Sequence, residues 1–366
     1  METGCVVLHF VSVDAENRRL NMADVAALAG VSKATVSRVL SGAPGVSDET
    51  RARIKALVKD LSYVVSPDAS RLSRGSTGRV AVVMPRTTTW FYGAVLSGAL
   101  SVLHPQGFDA LVYQVADDAE SRRFFADLPV QRQVDAVIVV AFPVSDVERR
   151  QLDVLGVPVV VAGGALLDHA HVRIDDTVAA RQAVTHLIRA GHERIAMINA
   201  TGHWTLEYAA PSERLHGFRG ALDEAGLALH DELVVHEPWG STGGSDGMSR
   251  LLSVSRPPTA VVAFSDEMAF GALRTLRRAA VPVPHAVAVV GIDDHALADV
   301  LDLTTVRQPV VEQGRAAGHL VQQVVQEGGA PEPHVTLPTH LIVRATTGPP
   351  QPRAHPDTAP APGARR

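Results

Sequence analysis

From Arg79 onward the chain repeats one unit, a short Val-rich apolar run followed by a stretch with helical spacing. The runs are Val80–Met84, Ala110–Tyr113, Ala136–Val140, Val157–Val161, Arg194–Ile198, Ala260–Phe264 and Val287–Gly291. None alternates apolar with polar, so each must be buried on both faces, as parallel strands are. The helical stretches between them are the crossovers that parallel pairing requires. Seven such strands over about 265 residues are too many for one small sheet, which predicts an α/β core of two doubly wound lobes. Ligands of such sheets sit at the carboxyl ends of the strands.

The segment before this core has a different texture. Asn21 to Leu40 reads as a helix-turn-helix, the device that lays a helix in the DNA major groove. Ala26 is small where two helices approach, and Gly30 can take the positive φ of a tight turn. Val31, Val36 and Val39 give the second helix an inner face. Ser32 stands at its N-cap, while Asn21 caps the first helix with Asp24 in the first turn. The outward residues Ser32, Lys33, Ala34, Thr35, Ser37 and Arg38 are mostly hydroxyls and cations, the types that bond phosphates and base edges. After the loop Ser41-Gly-Ala-Pro-Gly45, a third helix opens at Ser47. Ile54, Leu57 and Leu61 form its apolar stripe, and Arg51, Arg53, Lys55 and Lys59 are expected to face out.

Charge supports this division. From Asn21 to Arg74 eight Lys/Arg stand against five Asp/Glu, a balance of +3, so with −5 overall the remainder carries −8. A basic head on an acidic body fits nucleic acid at one end only. One cysteine, Cys5, excludes an intramolecular disulfide framework and fits a reducing cytoplasm. No apolar run reaches the ~18 residues of a membrane span, and no basic n-region precedes the short apolar patch near the start. The sequence thus divides into a disordered extension (1–20), a three-helix head (21–65), a hinge or linker (66–77), a two-lobed core (78–345) and a Pro/Ala-rich disordered tail (346–366).

The chain carries, in order, Ala23-Asp-Val-Ala…Ala-Gly-Val-Ser-Lys-Ala-Thr-Val-Ser-Arg-Val-Leu40, Val46-Ser-Asp-Glu-Thr-Arg51, Thr185-His-Leu-Ile-Arg-Ala-Gly-His192, Ser212-Glu-Arg-Leu-His-Gly-Phe218, Phe264-Ser-Asp-Glu-Met-Ala-Phe-Gly-Ala-Leu273, Val289-Val-Gly-Ile-Asp-Asp294 and Thr304-Thr-Val-Arg-Gln-Pro309. Taken together, these motifs resemble the lactose-repressor (LacI/GalR) family of bacterial transcription regulators. The resemblance spans about Asn21 to Thr347. It implies a periplasmic-binding-protein-like core, a homodimer that places one head on each half-site of double-stranded operator DNA, and a small-molecule effector between the lobes.

The resemblance also implies residue roles. Lys33, Ala34 and Arg38 fall where the family reads base edges. Ser32, Thr35, Ser37 and Ser41 suit phosphates. Leu72, flanked by Ala69 and Arg71, matches the leucine that wedges into the minor groove at the operator centre. For the effector, the matching positions are Arg214, Asp293, Trp239, Ser265, Glu267 and the Thr87–Tyr92 loop with Trp90, Phe91 and Tyr92. Planar charged groups would take hydroxyl pairs, and an aromatic face would stack on C–H groups, which points to a sugar. Two departures bear on the ligand: Gly163-Gly164 replaces an acidic–basic pair, and Ser265 replaces a frequent Asn. For Asp293-Asp294, hydroxyl recognition is the expected use.

No catalytic constellation, cofactor motif or metal-ligand spacing appears, despite sixteen histidines. The expectation is therefore a cytoplasmic repressor, not an enzyme, released from DNA by a sugar inducer. A co-repressor-dependent regulator is the alternative within the family, and a sugar-binding protein without DNA activity the alternative outside it. The Pro-rich tail lacks the leucine heptad of tetrameric members, which favours a dimer.

Overall fold

The structure is a computed structural model and describes residues 21–40, 43–61, 76–127, 130–131, 133–141, 143–154, 156–164, 166, 169–201, 209–327 and 334–350. Ser41, Ala69 and Leu72, the predicted extension 1–20 and most of the predicted hinge lie outside the described residues. The chain divides into two compact units between Thr77 and Gly78.

The first unit holds α1 (Met22–Ala29), α2 (Lys33–Leu40) and α3 (Asp48–Asp60). Asn21 Oδ1 accepts from the Ala23 and Asp24 amides at 2.8 and 3.2 Å, and Asp24 Oδ2 accepts from the Asn21 amide at 2.8 Å, a reciprocal capping box. Gly30, at φ 64°, closes α1 in the left-handed region. Ser32 Oγ then accepts from the Thr35 amide at 3.1 Å and starts α2. The three helices share one core of Val25, Ala26, Ala29, Val36, Val39 and Ile54. One expectation fails: Arg51 does not face outward. Its Nη2 donates to the Ala43 carbonyl at 2.8 Å, so the guanidinium is spent on the loop before α3.

The second unit contains two six-stranded sheets. The first lobe is built from β1 (Arg79–Met84), α4 (Trp90–Leu103), β2 (Asp109–Gln114), α5 (Asp118–Asp127), β3 (Ala136–Val140), α6 (Asp146–Val154), β4 (Val159–Ala162) and β5 (Ala170–Ile174). The second follows with α7 (Asp176–Arg189), β6 (Ile195–Thr201), α8 (Ala209–Glu224), β7 (Val234–Pro238), α9 (Ser241–Ser253), β8 (Ala260–Ala263), α10 (Asp266–Arg278), β9 (Ala288–Asp293), α11 (Ala296–Val300) and β10 (Thr304–Arg307). The chain then returns to the first lobe with α12 (Val310–Glu327) and β11 (His334–Leu337), and adds β12 (His340–Ile342) to the second.

The strand orders are β11-β5-β4-β3-β1-β2 and β12-β10-β9-β8-β6-β7, parallel except where β12 meets β10. Each sheet is covered on both faces. In the first lobe, Val95, Ala99, Ala317 and Val321 of α4 and α12 cover one face, and Phe124, Phe125 and Leu152 of α5 and α6 the other. In the second, Met248, Leu251, Met268 and Leu276 lie on one side and Ala183, Leu187 and Phe218 on the other. Strands buried this way need no polar alternation, which is why the runs of Val are continuous.

The core also extends past its predicted end at residue 345. Thr346 is buried, and its Oγ1 accepts from the Thr304 amide at 2.8 Å and donates to the Val289 carbonyl at 2.7 Å. Thr347 Oγ1 lies 2.9 Å from His186 Nε2, and Gly348 O lies 2.9 Å from His192 Nε2. Residues 346–348 are thus a strap on the second lobe rather than the start of a disordered tail.

Candidate functional site

In both sheets the chain reverses direction of winding at one point, between β1 and β3 and between β6 and β8. The carboxyl ends of strands at such switch points form a crevice without any special side chain being needed. Here the two crevices face each other. Pro85, Arg86, Thr89, Tyr92, Ala141 and Pro143 from the first lobe meet Ala200, Thr201, Pro211, Trp239, Phe264 and Glu267 from the second around a cleft of about 750 Å³, open solvent included.

Trp239 and Phe264 form a wall between this outer cleft and a smaller inner cavity. Their rings meet edge-on at 5.9 Å, and Tyr92 approaches Trp239 at 5.6 Å. The inner cavity is lined by Phe91, Asp176, Arg214, Ser265, Asp293, Gln308 and Gln313. The expected effector residues therefore fall into two groups. Tyr92 and Glu267 line the outer cleft, Phe91, Arg214, Ser265 and Asp293 the inner cavity, and Trp239 belongs to both. Trp90 lines neither and stacks on His295 with ring centroids 4.8 Å apart.

The polar groups of the inner cavity largely satisfy one another. Arg214 Nε donates to Asp176 Oδ1 at 2.7 Å, Nη1 donates to the Phe264 carbonyl, and the guanidinium lies 4.3 Å over the Phe264 ring. Ser265 Oγ accepts from Trp239 Nε1 at 3.1 Å and from the Met268 amide at 3.3 Å, capping α10. Gln308 Nε2 donates to Asp293 Oδ1 at 2.6 Å, and Gln313 Nε2 donates to Gln308 Oε1 at 3.0 Å. Gln313 Oε1 is buried with no partner, an acceptor open to a donor in this cavity. Asp293 and Asp294 both take positive φ, 147° and 57°.

Electrostatics separate the acids. Burial raises the Asp293 carboxyl well above its ordinary range, helped by the neighbouring Asp266. Burial likewise pushes Asp266 up to about 7, although Thr305 Oγ1 and the His295 amide both donate to it, at 2.6 and 2.8 Å. Burial raises Glu267 too, against a hydrogen bond from the Trp90 backbone and the charge of Arg86. At Asp294, burial is outweighed by Arg344 and Arg307, which donate at 2.8 and 2.7 Å and hold it below its ordinary value. Asp294 therefore serves the fold, in contrast to the hydroxyl recognition expected of the Asp293-Asp294 pair.

Gly163 explains one departure noted above. It lies at φ 74°, and a Cβ there would stand 2.8 Å from the Phe91 ring. A glycine makes room for Phe91 where a charged residue would not. The sequence reading missed Arg86, Asp176, Gln308 and Gln313. Asp176 carried a signal in the Asp175-Asp176 pair at a strand-to-helix junction, and Gln308 stands within the quoted Thr304–Pro309 motif.

In the first unit, Ser32, Lys33, Ala34 and Arg38 are exposed along α2, with Thr35 and Ser37 half-buried beside them. Ser32 and Thr35 share a hydroxyl–hydroxyl bond of 2.9 Å, so both are ordered by the helix cap. Among the described residues no group of His, Cys, Asp and Glu is placed to hold a metal ion.

Known proteins match both units. The family described as bacterial regulatory proteins, lacI family, matches residues 21–66, and the periplasmic binding protein-like domain matches residues 184–347. The HTH-type transcriptional regulator CelR of Thermobifida fusca is 35% identical over 339 residues, covering 89% of this chain and 98% of that protein. The HTH-type transcriptional regulator MalR of Streptomyces coelicolor is 36% identical over 343 residues, covering 89% and 96%. Among solved structures, a transcriptional regulator CelR–cellobiose complex is 33% identical with a TM-score of 0.67, covering 90% of this chain and 100% of that one.

Proposed function

The chain belongs to the LacI family of bacterial transcriptional regulators, and on that premise we propose that it is a dimeric, cytoplasmic repressor that a sugar releases from its operator. The observation that carries the ligand half is the cleft at the two facing switch points, walled by Tyr92, Trp239 and Phe264. Aromatic faces accept the C–H side of a sugar ring, and Arg86, Thr89, Thr201 and Glu267 offer polar partners for its hydroxyls. The solved structure of the similar CelR is a complex with cellobiose, which supports the same ligand class. Behind the wall, Arg214, Ser265, Asp293 and the free acceptor of Gln313 would receive a group that displaces Trp239 or Phe264.

The DNA half rests on α2. Lys33, Ala34 and Arg38 would meet base edges, while Ser32, Thr35, Ser37 and Ser41 hold phosphates, and Ala69 and Leu72 would act at the operator centre. No helix among the described residues is long and apolar enough to cross a membrane. A ligand shifts such an equilibrium only through a difference in affinity between the two states, typically ~1–3 kcal/mol.

A thermal-shift screen of mono- and disaccharides, followed by operator binding with each hit, tests this reading. A hit that weakens operator binding about 5- to 150-fold is the expected result. A hit that tightens binding would refute induction, and the absence of any sugar hit would refute the ligand class.

A further inference from the structure

Helix α12 carries one buried stripe. Val310, Ala317, Leu320, Val321 and Val324 recur along it at helical spacing, and all are apolar. Gln313 falls in the same stripe, is 0% exposed and lines the inner cavity. Burying an amide in such a place is unfavourable unless its polar atoms find partners. A methionine would fill similar space without that cost, so packing alone does not account for a glutamine here.

Half of the amide is accounted for. Gln313 Nε2 donates to Gln308 Oε1 at 3.0 Å, and Gln308 Nε2 donates to Asp293 Oδ1 at 2.6 Å. Gln308 is anchored further by its backbone amide, which donates to the Asp293 carbonyl at 3.3 Å. The direction of this chain of bonds is set at its far end. A carboxyl group keeps an acceptor oxygen with or without its proton, and the 2.6 Å bond makes Oδ1 that oxygen. Gln308 must then turn its Nε2 toward Asp293 and its Oε1 toward Gln313. Gln313 in turn gives its Nε2 to Gln308, and its Oε1 is left uncommitted. Among the described residues nothing donates to that oxygen. Arg214, Ser265 and Asp293 line the same cavity from the second lobe, whereas Gln313 stands on α12, which covers the first.

We propose that Gln313 is a specificity-determining residue for the effector. Its Oε1 accepts a hydrogen bond from the part of a sugar that enters the inner cavity, so a hydroxyl or N–H is required at that point and a group that cannot donate is rejected. This rests on the sugar reading above and narrows it to one donor at one place. A site built to pair a buried polar group discriminates strongly against an analogue that lacks the partner. Asp293 sets the polarity of the contact from a distance, through Gln308, without touching the same donor.

The test pairs one substitution with sugars that lack one donor. D-Glucose, D-galactose, D-xylose and cellobiose are titrated into the full-length protein by isothermal calorimetry. Each sugar that binds is then replaced by its deoxyfluoro analogues, in which one hydroxyl at a time becomes a fluorine that cannot donate. Q313M keeps the length of the side chain and removes both polar atoms. One analogue should bind the parent about 5- to 100-fold more weakly than the sugar itself, the weight of one buried hydrogen bond. The same analogue should bind Q313M within about twofold of the unmodified sugar, because the two changes remove one shared contact. If Q313M weakens the sugar and every analogue by the same factor, or weakens none, the proposal is overturned while the sugar reading stands. If none of the four sugars binds the parent, the sugar reading falls and this inference with it. Should Q313M fail to fold, Q313L decides by the same criterion.

Discussion

Replacing Arg214 by Met asks what the buried guanidinium does before any ligand arrives. Arg214 and Asp176 are paired at 2.7 Å with side chains only 6% and 10% exposed. The same guanidinium bonds the Phe264 carbonyl and covers its ring. Removing one partner of a buried pair leaves the other charge without compensation, which costs ~3–5 kcal/mol. For a unit of this size each kcal/mol lowers the melting temperature by ~2 °C, so R214M should melt ~6–10 °C below the parent. The double variant R214M/D176N removes both charges and should recover most of that loss, with a coupling of ~2 kcal/mol or more. The assay is calorimetric or circular-dichroism melting of the full-length protein at pH 7.5 without ligand. An R214M protein that melts within ~2 °C of the parent, with additive single and double changes, would refute the account. Arg214 would then be a group reserved for ligand, tolerated in the apo cavity rather than part of what holds it.

Four further outcomes follow from the same geometry. R38A should lose ~1–3 kcal/mol of preference at one operator base pair; an equal loss on all sequences would mark Arg38 as a phosphate contact. N21A breaks the capping box and should cost ~0.5–2 kcal/mol, read as faster hydrogen exchange in α1 with α3 less affected. G163A places a Cβ against Phe91 in a left-handed backbone and should destabilise by ~1–3 kcal/mol, checked by urea denaturation. His192 is lowered by burial, so the folded protein holds fewer protons there than the unfolded chain; its stabilisation is complete above ~6.5 and is lost as pH falls below that. The parent should therefore lose ground to H192Q between pH 7 and pH 5 in side-by-side thermal melts, and an unchanged difference between the two would count against burial of the His192 ring as the cause.

The sequence was legible where a single kind of residue does a single job. The continuous runs that became β1, β3, β8 and β9 are buried on both faces, so their signal is unmixed. The strands β5, β7, β10, β11 and β12 carry His171, Arg173, Glu237, Arg307, His334 and His340, and four of the five are short or at a sheet margin. An edge strand needs only one buried face, and its pattern fades into that of a loop. The strap 346–348 escaped notice because threonine hydroxyls bonded to backbone leave no apolar trace. At the site, residue types were legible and partners were not. Nothing in the order of residues says that Arg214 meets Asp176, because the pair forms only when α7 and α8, 38 positions apart at this contact, pack side by side within the second lobe.

The late return of the chain to the first lobe sets an order of events during synthesis. Strands β1 to β5 are complete at Ile174, yet α12, whose Val310, Ala317 and Val321 cover one face of that sheet beside α4, ends only at Glu327. At the usual ~5–20 residues per second, the ribosome leaves that face half-covered for roughly 8–30 s. The second lobe's own strands β6 to β10 emerge during this interval. The head, finished by Leu61, can mature early. The first lobe must wait, with apolar strands exposed, for a helix made on the far side of its neighbour. A nascent chain stalled between Arg307 and Val310 is therefore the form of this protein with the greatest need of a chaperone.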